Sequence, residues 1–220
     1  MAHGEVQSLT EPGQPAWTVL VPVKMLSIAK SRLDPHVGGF RRELALAMAR
    51  DTVTAIASCE GVEVVVVTDD LDAAAALTDL ATVLPDLPGA GINAALRHGA
   101  AAVGASRDRG LAAVQADLPS LRTAELGAAL RAAALTEQAF VADTAGTGTT
   151  LYAASAAGRF SPQFGPGSAA AHRAVAQELR LDVPTLRRDV DTIDDLWAAA
   201  RLGVGPCTAA LLPELPARSA

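Results

Sequence analysis

Three carboxylates raise the chemical question. Asp117 stands in "GLAAVQADLPSL" (110–121), where an apolar, strand-like run meets an acid and then Pro119. Asp189 and Asp191 stand in "RRDVDTIDDL" (187–196). An acid at the end of a buried strand can serve as the cap of the next helix, here the one starting near Thr123. It can also be a metal ligand at the carboxyl edge of a parallel sheet. Asp189 and Asp191 alternate, so in an extended segment they share one face. Two carboxylates on one face repel unless a cation lies between them. Mg²⁺ takes such oxygen ligands and keeps water and substrate phosphates in its other positions. Asp194 and Asp195 fall in the first turn of a helix, suit its dipole and read as structural.

Cations follow the first strand. The chain has two lysines, Lys24 and Lys30, against sixteen arginines. Both lie in "VPVKMLSIAKSRL" (21–33), with Arg32 beside them. Cations at that point can meet phosphates at the sheet edge. The stretch has no glycine and no Gly-Lys-Ser/Thr, so it is not a P-loop. A solvated helix start is the plain alternative. The Arg and Ala enrichment is what a GC-rich coding bias would produce, and against that bias two surviving lysines argue for use.

Backbone-rich turns supply candidate anion seats. "GTGTT" (146–150) and "FGPGSAAAH" (164–172) offer N–H groups and hydroxyls. Gly165 and Gly167 permit close approach of a ligand to the chain. Ser168, read as the cap of a helix reaching Leu179, would add the dipole and free N–H groups of that helix's start. His172, one turn in, reads as structural. Asn93, opening a helix after the turn in "PGAGINAALRHG" (88–99), is either a nucleotide contact or a plain cap.

These pieces need a frame. Strands are expected at 17–23, 62–68, 82–85, 111–115, 140–142 and 149–154. Helices are expected at 41–58, 71–80, 92–103, 123 to about 135, 168–179 and 193–202. Alternating strands and helices predict a mostly parallel sheet covered on both faces, with right-handed crossovers. Ligands in such sheets bind beyond the carboxyl ends of the strands.

Composition narrows the class. At 220 residues, half of them hydrophobic, the chain suits one domain, read as 16–212 between flexible tails at 1–15 and 213–220. A net charge of −6 with no basic tract speaks against a nucleic-acid partner. Cys59 and Cys207 stand far apart without metal or redox spacing, which suits a reduced, cytoplasmic setting. No secretory leader or membrane-spanning stretch is read. There is no Ser-His-Asp order and no zinc spacing. Carboxylates and anion seats at one sheet edge suit metal-assisted transfer between phosphate groups.

In order along the chain, VPVKMLSIAKSRL, GINAALRHG, ADLP, GTGTTL, FGPGS and DVDTIDDL resemble the 2-phospholactate / phosphoenolpyruvate guanylyltransferases (CofC/FbiD) of deazaflavin-coenzyme biosynthesis. The resemblance runs from about Trp17 to Gly205. It departs at Gln115, where an apolar residue would be ordinary. It implies a single-domain nucleotidyltransferase α/β fold, like that of the nucleotide-diphospho-sugar transferases. It also implies Mg²⁺-dependent transfer of GMP from GTP to phosphoenolpyruvate, with 2-phospholactate as the alternative acceptor. By that resemblance Asp117, Asp189 and Asp191 hold the metal, while Thr150, Gly165 and Ser168 hold phosphoenolpyruvate. Lys24, Lys30 and Asp117 are expected to be catalytic, with Lys24 and Asn93 on GTP. A homodimer is compatible with this picture. A sugar-phosphate nucleotidyltransferase and a non-catalytic nucleotide-binding module are the rivals.

Overall fold

The computed structural model describes residues 17–26, 30, 33, 37–104 and 109–215. Arg32, residues 1–15 and residues 216–220 lie outside that set.

Seven strands form one sheet in the order β3-β2-β1-β4-β6-β5-β7. β1 is Trp17–Pro22, β2 Val62–Val67, β3 Thr82–Leu84 and β4 Gly110–Val114. β5 is Gln138–Ala142, β6 Thr149–Ala154 and β7 Gln177–Glu178. All neighbouring pairs are parallel except those of β6, which runs antiparallel to β4 and β5. Chain order moves outward from β1 through β2 to β3, then returns to the other side of β1 as β4. That reversal makes a switch point at the carboxyl ends of β1 and β4, where an open α/β sheet leaves a crevice.

The helices cover both faces. They are α1 (Arg41–Ala57), α2 (Leu71–Leu77), α3 (Ile92–Ala102), α4 (Thr123–Ala133), α5 (Ser168–Arg173), α6 (Ile193–Leu202) and α7 (Pro206–Leu211). Alternation along β1 sorts the core. Trp17, Val19 and Val21 join the cluster under α1 and α4, whereas Leu20 joins Leu96 of α3 and Ala169 of α5 on the other face. Burying both faces requires an uncharged strand, which is why WTVLVP contains no ionisable residue. A third cluster joins Leu44 and Met48 of α1 to Val190, Leu196 and Leu215. α1 is thus packed on two sides. Its buried Asp51 accepts the Cys207 and Thr208 N–H groups at 3.0 and 2.7 Å, capping α7 from a distant element.

Two expectations change here. The helix at Ser168 stops at Arg173 rather than Leu179, because the following chain pairs with β5 and Leu179 N–H reaches the Phe140 carbonyl at 2.8 Å. The packed chain also runs through Leu215, which is buried, where a loose tail was expected from Pro213.

Candidate active site

Beyond Pro22, two anchors shape the chain over the sheet edge. Val23 N–H bonds the Val67 carbonyl at 2.9 Å, and Leu26 N–H bonds Asp70 Oδ2 at 2.8 Å. The other Asp70 oxygen caps α2 by accepting from Asp72 and Ala73. Burial disfavours the Asp70 anion, but these backbone donors outweigh it and hold the carboxyl below its usual range. Lys24, held between the anchors, is exposed on the rim of a cavity of about 580 Å³. It has no ion-pair partner among the described residues.

Asp117 sits just past β4 and is held from three directions. Gln115 N–H bonds the Thr150 carbonyl at 3.0 Å. Leu118 N–H reaches the Thr52 hydroxyl of α1 at 3.0 Å. The Asp117 carbonyl accepts Val190 N–H at 3.1 Å. That last bond draws the 189–191 segment alongside. Val190 turns into the core, so Asp189 and Asp191 both line the cavity, as their alternation predicts. Asp195 forms a capping box with Thr192 and is structural, as expected.

Lys30 lies between two of these acids. Its ammonium makes a short contact to Asp117 and bonds Asp191 Oδ1 at 2.9 Å. Burial opposes the charge, but the Asp117 and Asp191 carboxylates prevail and raise its pKa. Lys30 has φ +57°, the one left-handed non-glycine among the described residues, a conformation that costs free energy away from glycine. Among the described residues Asp189 has no such partner. Burial, then the charges of Asp117, Asp191 and Asp143, push its carboxyl up to about 7 against the pull of Lys30.

The carboxylates therefore do not form a ready-made metal cage. Among the described residues no three His, Cys, Asp or Glu side chains are grouped to hold an ion. The ammonium of Lys30 offsets part of the acidic charge, at Asp117 and Asp191, and leaves Asp189 facing its acidic neighbours. The donor set still fits Mg²⁺ in kind: the ligands are hard oxygens, and Asp117 Oδ1 is buried without a hydrogen-bond partner. Mg²⁺ also needs few protein ligands where substrate phosphates complete its shell.

The opposite wall is built from turns. Asp143 closes the 143–148 turn by accepting the Thr147 and Gly148 N–H groups at 2.9 and 2.8 Å. Gly165 (φ +141°) and Gly167 (φ +71°) lead into α5 in conformations that favour glycine. Gly167 caps the helix, and Ser168 is its first residue rather than its cap. Gly165 and Ser168 reach the cavity.

Two expected contacts do not. Thr150 is wholly buried, with its hydroxyl 3.5 Å from the Val141 carbonyl, and its neighbour Thr149 lines the cavity instead. The Asn93 amide is spent on the Phe164 backbone, donating to its carbonyl and accepting from its N–H at 2.8 Å each. Asn93 therefore steadies the 164–168 turn and does not line this cavity. The sequence reading passed over Asp143, Thr149 and Asp70. Asp143 carries a sequence signal as an acid opening a Gly-Thr turn, and Thr149 lies within the "GTGTT" stretch already singled out as an anion seat. Gln115, the departure from the family pattern, faces this cavity and donates from Nε2 to the Thr149 carbonyl at 3.3 Å.

Residues 17–200 match the family model described as "Guanylyl transferase CofC like". The chain belongs to the CofC-like guanylyl transferase family. Its similarity to curated members is high. It is 54% identical over 208 residues to a phosphoenolpyruvate guanylyltransferase of Thermomonospora curvata, covering 92% of this chain and 91% of that protein. It is 52% identical over 205 residues to one of Streptomyces coelicolor, covering 90% and 97%. Among solved structures it resembles a Desulfovibrio desulfuricans G20 protein described as a nucleotide-diphospho-sugar transferase, with TM-score 0.69, 18% identity and 91% and 95% coverage. It also resembles a 4-diphosphocytidyl-2C-methyl-D-erythritol synthase, with TM-score 0.58, 15% identity and 86% and 99% coverage. Those two likenesses establish the nucleotidyltransferase fold of this CofC-like enzyme.

Proposed function

We propose that this enzyme transfers GMP from GTP to phosphoenolpyruvate, giving enolpyruvyl-diphospho-guanosine and pyrophosphate. The observation that carries this reading is the convergence of Lys24, Lys30, Asp117, Asp189, Asp191, Gly165 and Ser168 on one cavity. The relatives named phosphoenolpyruvate guanylyltransferase support the choice of acceptor.

The nucleophile is a phosphate oxygen of the acceptor, already anionic, so no general base is required. It forms a bond to the α-phosphorus of GTP, and the bond from that phosphorus to the bridging oxygen of pyrophosphate breaks. Catalysis then rests on alignment and charge neutralisation. Lys24, exposed on the rim, would meet the departing pyrophosphate. Lys30 would set the positions of Asp117 and Asp191. Gly165 and Ser168 would seat the acceptor, with Thr150 buried behind Thr149 in the wall of that seat. Asp117, Asp189 and Asp191 would hold Mg²⁺, which supplies positive charge against the phosphates when bound. Cys59 and Cys207 are both free thiols, compatible with a cytoplasmic enzyme. Among the described residues no helix is long and apolar enough to cross a membrane.

The test is pyrophosphate release from GTP with phosphoenolpyruvate, 2-phospholactate and sugar 1-phosphates as acceptors. Turnover with phosphoenolpyruvate above the others is expected. Preference for either other class would overturn the assignment.

A further inference from the structure

His172 is wholly buried in α5, its ring stacked on Tyr152 at 4.7 Å and edged by Phe164 at 5.4 Å. Burial holds its pKa at about 4, so the ring is neutral near pH 7. Both nitrogens are engaged. The Gln163 N–H donates to Nε2 at 2.9 Å, and Nδ1 lies 2.9 Å from the Thr149 hydroxyl. A neutral imidazole has one N–H and one lone pair. Nε2 must carry the lone pair, because an N–H there would face the Gln163 N–H head-on. The ring proton is therefore on Nδ1, and it is given to Thr149 Oγ1. A hydroxyl that accepts still has its own proton to donate. Thr149 lines the cavity together with Gly165 and Ser168. Among the described residues that proton has no acceptor.

We propose that His172 is a positioning residue that commits the Thr149 hydroxyl to donating into the cavity, where it binds an anionic oxygen of the phosphorylated acceptor. The same ring supports the far side of the seat. Its lone pair holds Gln163, and Asn93 holds the next residue, Phe164. One buried side chain thus sets both the polarity of Thr149 and the approach of the Gly165–Ser168 turn. This inference rests on a small phosphorylated acid as acceptor, and it adds a contact beside Gly165 and Ser168.

Two measurements test it. In ¹⁵N spectra of the whole wild-type protein at neutral pH, His172 should show protonated Nδ1 and bare Nε2; the opposite tautomer would overturn the proposal without need of a variant. In calorimetry with phosphoenolpyruvate and in steady-state kinetics, Thr149→Val should weaken the acceptor roughly tenfold or more and leave the KM for GTP unchanged. Thr149→Ser should restore acceptor binding. His172→Asn, which keeps a donor near the Nδ1 position, should lose less than His172→Phe. A purely structural role would instead lower both substrates together, with no rescue by serine. Wild-type binding with Thr149→Val within about twofold of it would overturn this inference alone. Wild type that neither binds nor turns over phosphoenolpyruvate would overturn the acceptor assignment and this inference with it.

Discussion

The Asp117 carbonyl accepts the Val190 N–H at 3.1 Å, and this main-chain bond ties the end of β4 to the segment carrying Asp189 and Asp191. It explains how acids distant in sequence share one ammonium. Asp117 and Asp191 both reach Lys30, while Val190 between Asp189 and Asp191 fills the core.

Asp117→Asn should lower turnover by on the order of a hundredfold or more, because it removes a carboxylate that would hold Mg²⁺ against the reacting phosphates. Stripping divalent ions with a chelator should also abolish turnover. It should barely move the melting temperature without nucleotide, since Lys30 already pairs with both Asp117 and Asp191. A shift under about 1 kcal/mol, roughly 2–4 °C for a chain this size, is expected. A larger collapse on chelation would point to a structural metal.

Lys24→Met should lower kcat by on the order of a hundredfold, with little change in KM, if the charge acts as the pyrophosphate departs. Folding stability should change by no more than about 0.5 kcal/mol, as Lys24 is exposed. Steady-state kinetics beside a melting curve checks both. A wild-type kcat in the variant would make Lys24 an ordinary surface residue.

Gly148→Ala tests the Asp143 turn. A Cβ there would lie 2.5 Å from Asp143 Oδ2, the oxygen that accepts the Gly148 N–H. The carboxylate must move and release its backbone donors. A loss of about 1–3 kcal/mol is expected in denaturant unfolding, together with reduced acceptor binding as Thr149 shifts.

His172 makes the fold acid-sensitive. Its pKa is about 4 when folded, against 6.5 for the unperturbed side chain. Below about 6.5 the unfolded chain takes up a proton that the folded chain refuses. Stability present above that pH is therefore lost progressively down to about 4. The contribution is of order 3 kcal/mol. Asp189, its carboxyl raised to about 7, contributes the opposite slope over this range in both proteins. The expected outcome in unfolding curves is therefore a difference: on acidification from about 6.5 to 4, wild type should lose more stability relative to its neutral value than His172→Gln. Equal losses would place the acid sensitivity elsewhere.

Much of this molecule is written locally. β1, β2 and β4 are legible because a strand buried on both faces must be an uncharged apolar run. Asp189 and Asp191 share the cavity because alternation along an extended segment needs no distant information. Lys24 stood out by rarity alone. Tertiary structure decided the rest wherever a group's role depends on which partner arrives from far along the chain. Asn93 reads as either a nucleotide contact or a plain helix cap, and only the structure shows its amide bonded to the distant Phe164 backbone. Thr150 and Thr149 are indistinguishable in "GTGTT"; both are buried, and only the packing of β6 against β5 and α5 places Thr149 in the cavity wall and Thr150 behind it. The helix from Ser168 has helical composition as far as Leu179, but β5 offers a free edge, and pairing along it ends the helix at Arg173. Lys30 could have reached for phosphate, yet Asp117 and Asp191 enclose it. Sequence periodicity reports which face a residue occupies. The partner it meets there is chosen by long-range contacts that no local pattern encodes.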